Sequence, residues 1–89
     1  MAMYLYKVVN MDKDMVVKVK VRFQDNPEET VHRKMYVLLA QVPCLRNEVM
    51  ISGEGYTIDL KNQSLSVKEL FLTLLKKNRI KSKICCKKE

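Results

Sequence analysis

The chain has no tryptophan, two glycines, two prolines, one histidine and three cysteines. Each scarcity excludes something. His32 and Cys44 share no ligand spacing with the other cysteines, so the tetrahedral donor set of a zinc site is not expected. Three cysteines, with Cys85 and Cys86 adjacent, make a poor disulfide framework, because neighbouring residues meet the geometry of a bridge only with difficulty. A reducing, cytoplasmic (intracellular) compartment is the expectation. Gly53-Glu54-Gly55 is a weak match to a phosphate loop, since it leads into a strand pattern and such a loop needs a helix N-terminus. No apolar stretch approaches the ~18 residues that span a bilayer. No charged leader precedes an apolar segment, so a secretory signal is not expected either. A membrane reading retains only the cysteine pair inside a basic run, the two-signal logic of acylated anchors.

Signs of catalysis are equally sparse. His32 stands one helical turn after Glu28, the spacing of a solvated helix pair. Asp12 and Asp14 flank a turn, Glu28 and Glu29 open a helix, and Asp59 stands alone, so no acid–base pair is recognisable. Neither an enzyme nor a cofactor is expected.

What is present is a small domain with an uneven charge. The 89 residues are 47% hydrophobic, with a net charge of +7. From Lys76 onward, Lys76, Lys77, Arg79, Lys81, Lys83, Lys87 and Lys88 stand against Glu89 alone, a net +6. Residues 1–75 carry ten basic and nine acidic side chains, a net +1. The spacing therefore predicts one small α+β domain over 1–78 and a basic, flexible tail over 79–89.

Periodicity supplies the elements. Met3 to Val9 is rich in residues that suit a pleated surface, and Asn10 to Asp14 reads as a turn. From Met15 to Phe23, valines alternate with Lys18, Lys20 and Arg22, the period-two signature of a half-buried strand. Asn26 as cap, Pro27 at the first position and Glu28-Glu29 near the dipole's positive end start a helix. Its stripe is Val31, Met35, Leu38, Leu39 and Val42, and Pro43 stops it. Glu48–Ser52 and Tyr56–Leu60 flank the glycine turn as a hairpin. A second helix follows, with Ser66 and Glu69 in capping-box spacing, Val67, Leu70, Phe71 and Leu74 on one face, and Asn78 as a left-handed end. The predicted order is ββαββα: a four-stranded, largely antiparallel sheet with two helices packed on one face, and the basic tail.

The first hairpin has two registers. Pairing Tyr6 with Val19 and Lys7 with Lys18 buries Tyr4, Tyr6 and Val8 with the valines, and shows Lys7, Lys18, Lys20 and Arg22 to solvent. A slip of one residue would set Tyr4 and Tyr6 beside the lysines as a stacking platform for single strands. Hydrophobic patterning favours the first register. Like charges directly opposed are unfavourable, so that face gains from a bound anion.

Two functions follow as expectations. One is a nucleic-acid-binding accessory protein, of low sequence specificity, that uses Lys76, Lys77, Arg79, Lys81, Lys83, Lys87 and Lys88, helped by Lys7, Lys18, Lys20 and Arg22. The other is a protein-interaction module, inhibitor or homodimer that uses a sheet edge and the last helix. Leu72 and Leu75 widen that helix's apolar arc beyond what one sheet face needs.

Overall fold

A computed structural model describes residues 15–86. Strand β1 (Val16–Arg22) leads through a 3-10 turn at Phe23–Asp25 into helix α1 (Glu28–Gln41). A second 3-10 segment, Pro43–Glu48, precedes β2 (Val49–Ser52) and β3 (Gly55–Asp59). Helix α2 (Leu65–Lys77) and β4 (Lys83–Cys86) complete the described residues. The fold is α+β: two packed helices and an antiparallel sheet of four strands in the order β2-β3-β1-β4. This is the split β-α-β topology, in which each helix connects strands separated by a third.

The order is βαββαβ, which corrects the expected ββαββα at both ends. The Met3–Val9 strand candidate, with Tyr4, Tyr6 and Lys7, lies outside the described residues. Val19, the residue expected to pair with Tyr6, has other neighbours among the described residues. That residue pairs with Ile58 on one edge and Ile84 on the other, and a strand has only two hydrogen-bonding edges. The second correction concerns the segment read as tail. Residues 83–86 form β4, hydrogen-bonded to β1.

Local chemistry explains why the chain turns back after α2. Asn78 caps the helix with ordinary negative φ, and Arg79, at φ 56°, takes the left-handed position expected of Asn78. The amide of Arg79 donates to Lys76 O at 3.1 Å, and that of Ile80 to Leu75 O at 3.0 Å. These are the paired bonds of a Schellman ending. Ile80 is then 7% exposed in the core. Its burial, worth about 1.5–3 kcal/mol, outweighs the ~1–2 kcal/mol of a left-handed arginine. Asn26 fixes the next step. Its side chain donates to Arg22 O at 2.7 Å and accepts from the Lys81 amide at 3.3 Å, so it does not cap α1, whose N-cap is Pro27.

The core lies between the sheet and the helices. Val16, Val19, Val21 and Ile58 come from the strands, Val31, Met35 and Leu38 from α1, and Phe71, Leu74 and Leu75 from α2. The α1 stripe matches the expected residues, with Leu39 partly buried. Helix α2 starts two residues earlier than the capping box implied, since the Ser64 hydroxyl accepts from the Val67 amide at 3.3 Å. Its buried face runs through Lys68, Phe71, Leu74 and Leu75 and leaves Leu70 exposed, a rotation of roughly 60° from the expected stripe. A wide apolar arc does not fix rotation; contact with the sheet and α1 does.

Candidate nucleic-acid interface

Alternation along β1 sends Val19 and Val21 to the helices and Lys18, Lys20 and Arg22 to the other face. The ladder extends this separation across the sheet. Lys18 pairs with Asp59 and Cys85, Lys20 with Thr57 and Lys83, and Arg22 with Gly55. Thr57 in turn pairs with Met50, and Gly55 with Ser52. The face away from the core therefore carries Lys18, Lys20, Arg22 and Lys83, with Asp59 on the same face. Positions two apart on a strand are about 6.8 Å from each other, and neighbouring strands about 4.8 Å. The cations form a compact block.

Lys20 opposite Lys83 joins two segments that sequence spacing keeps 63 positions apart. Two like charges ~5 Å apart in a water-like dielectric repel by about 1 kcal/mol. Val19 and Ile84 meet on the core side of the same two strands, and their burial exceeds that cost. Both lysines also engage other groups. The strand pairing therefore tolerates the charge, and an anion between the two ammonium groups would replace repulsion with attraction.

The other basic residues are distributed differently. Lys76 and Lys77 are exposed in the last turn of α2, on the helix side of the sheet, where they complement the dipole. Arg79 and Lys81 are exposed on the connection into β4. Lys7, Lys87 and Lys88 lie outside the described residues. Of the two leucines expected at a protein interface, Leu75 is 3% exposed and belongs to the core, and Leu72 is partly buried against it. The exposed apolar side chains of α2 are Leu65 and Leu70.

A second cluster escaped the sequence reading. Tyr56 points to the helix side, where its hydroxyl lies 2.6 Å from His32 Nδ1, and His32 Nε2 lies 3.4 Å from Glu28 Oε2. A carboxylate only accepts, so with the ring neutral Nε2 donates to Glu28 and Nδ1 accepts from the tyrosine hydroxyl. Phe23 closes the group, with ring centroids 5.0 Å from His32 and 5.9 Å from Tyr56. The i, i+4 spacing of Glu28 and His32 was visible; Tyr56, 24 residues away, was not. Desolvation raises the Tyr56 pKa above its ordinary 10.0. The hydroxyl stays protonated and engaged, which makes it a pin between α1 and β3.

Unfolded chains begin to ionise Tyr56 near pH 10 and the folded protein resists it, so folding holds more protons and stability falls as pH rises past 10. Tyr56→Phe is expected to lower stability by about 1 kcal/mol at pH 7 through the lost hydrogen bond, and to flatten the alkaline decline between pH 10 and 11. Thermal melts of both proteins over that range are the check; parallel declines would remove Tyr56 as the cause.

Among the described residues no group of three or more metal-ligating side chains converges, and no helix is long and apolar enough to cross a membrane. Comparison with protein-family models, with curated proteins and with solved structures gave no match, so the reading of this face rests on its geometry.

Proposed function

We propose that the protein is a non-catalytic binding protein whose helix-free sheet face takes the backbone of a single-stranded nucleic acid. The observation that carries this reading is the Lys20–Lys83 register, which merges the basic residues of β1 and β4 into one block. A four-stranded face is too broad for a duplex groove, which admits a helix or a two-stranded ribbon. An extended single strand can lie across it. Sheet readers of single strands stack bases on aromatic side chains of the central strands. Here the corresponding positions of β1 and β3 hold Lys18, Lys20, Arg22, Thr57 and Asp59, so phosphates are bound and bases are scarcely read. Free thiols at Cys44 and Cys85 accord with an intracellular setting.

The test is anisotropy of a labelled oligonucleotide over a series of salt concentrations. Four phosphate contacts predict a slope of log K against log salt of about −3. Affinity indifferent to salt, or no binding at ~50 mM salt, would remove the reading.

A second reading concerns β2. No described strand pairs with its outer edge, it carries no charge, and Met50 and Ile51 are 72% and 57% exposed. Tyr36, Leu39, Ala40, Arg46 and Val49 line a largely apolar hollow beside it. Such an edge can accept a strand from a partner protein or a second copy. Concentration-dependent mass in sedimentation, lost in Ile51→Lys, would support it.

A further inference from the structure

The basic face ends in a built hollow. Lys20, Arg22, Ser52, Glu54, Gly55 and Thr57 line a solvent-open concavity of about 210 Å³. Its form follows from the ladder. The position between Arg22 on β1 and Ser52 on β2 is Gly55, so no side chain stands in the middle of that row. Val21 and Tyr56, whose side chains lie on the helix side, also line the hollow.

The donors suit an anion. Arg22 supplies positive charge, as does Lys20, which also engages another group. Arg22 Nε engages Asp25 at 3.3 Å, and a guanidinium has four further N–H donors for a ligand. Ser52 Oγ accepts from the Glu54 amide at 3.1 Å, which leaves the hydroxyl hydrogen to be donated outward. Thr57 adds a second hydroxyl.

The charges beyond the hollow decide which anion. The basic row Lys18–Lys20–Arg22 runs toward the β2–β3 turn and is followed there by acids: Asp25 in the 3-10 turn and Glu54 in the β2–β3 turn itself, where it lines the hollow. The turn is held in place by the bond from the Phe23 amide to Glu54 O, 2.9 Å. A polyanion passing further would meet carboxylates, so the track terminates at the hollow. A terminal phosphomonoester carries about −1.5 to −2 charges near neutral pH, against one for an internal diester. It gains more from two cations and needs no exit path.

We propose that this hollow is a phosphomonoester site that receives the terminal phosphate of a strand lying on the basic face. The proposal deepens the single-strand reading and rests on it for the source of the phosphate.

The experiment compares one labelled oligonucleotide in three forms, with a 5′-phosphate, a 3′-phosphate or hydroxyls at both ends, at pH 7.5 and fixed salt. In parallel, inorganic phosphate is titrated against chloride at equal ionic strength and followed by amide NMR. The wild-type protein is expected to bind one phosphorylated form about tenfold tighter than the unphosphorylated one, the worth of one further charge-assisted hydrogen bond. Which end gives the gain assigns the strand's polarity. Inorganic phosphate should shift the amides of Ser52, Gly55 and Thr57. Ser52→Ala should reduce the end preference and leave binding of the unphosphorylated oligonucleotide unchanged.

Equal affinity for all three forms, with no amide shifts, overturns the site and leaves the basic-face reading standing. Shifts with inorganic phosphate but no oligonucleotide binding support the phosphate site and remove its source, and with it the single-strand reading. Shifts confined to Lys76–Lys81 would overturn the site by moving the anion to the α2 terminus.

Discussion

Replacing Lys18, Lys20 and Lys83 together by Gln is expected to lower oligonucleotide affinity at 0.1 M salt about 100-fold. Each phosphate contact on a single strand contributes ~0.7 to the salt slope. Relative to 1 M salt that is ~0.7 log unit of binding per contact at 0.1 M, and three contacts give ~2 log units. The slope itself should become shallower by about 2. Lys76→Gln with Lys77→Gln is the necessary comparison, because these residues stand on the helix side of the sheet. A general attraction to the basic C-terminal region would weaken similarly in both variants. The face reading requires a large loss in the triple variant and no more than about threefold in the double. Anisotropy titrations at four salt concentrations check both quantities. Circular dichroism melts establish that the triple variant is folded, a control that matters because Lys20 and Lys83 also engage other groups.

Gly55→Ala is expected to abolish cooperative folding at room temperature. Gly55 has φ of +146°, a conformation L side chains rarely adopt, and it faces Arg22 in the ladder. A Cβ placed there would overlap the Val21 carbonyl oxygen and lie 2.9 Å from Arg22 Cα. Those atoms are β1 backbone, so no side-chain rotation relieves the contact. Strain of ~1–3 kcal/mol and overpacking of ~1–3 kcal/mol together give roughly 2–6 kcal/mol. That range brackets the whole net stability of ~3–5 kcal/mol typical of a core this small. Gly53 is the internal comparison: nothing lies within 4 Å of its added Cβ and its φ is not in the left-handed region, so Gly53→Ala should stay within about 0.5 kcal/mol. A Gly55→Ala melt within two degrees of wild type would contradict the strain argument.

The candidate site was legible in pieces. Alternation in β1 marked Lys18, Lys20 and Arg22 as a solvent-facing set before any partner strand was known. The basic composition after Lys76 was equally plain. That Lys83 would stand opposite Lys20 was not, because a lysine-rich segment with Ile80 and Ile84 inside it reads as solvated charge when its neighbour is unknown. The strand character of residues 83–86 comes from pairing: β1 offers an open edge, the ending of α2 aims the chain at it, and Ile80 and Ile84 gain burial only there. Tyr56, His32 and Phe23 met for the same reason, since strand, helix and turn converge in space and share no local pattern.

By itself the sequence determined the faces and the punctuation. Period-two alternation fixed which side of β1 is wet, 3.6-residue periodicity fixed the stripe of α1, and Pro43 and the glycines fixed where elements stop and turn. These follow from backbone geometry within a few residues. Tertiary structure alone decided that β1 lies between β3 and β4, how α2 rotates, and that two distant basic segments share one face. Those outcomes minimise exposed apolar surface and unpaired strand edges over the whole chain, and no local window contains that sum.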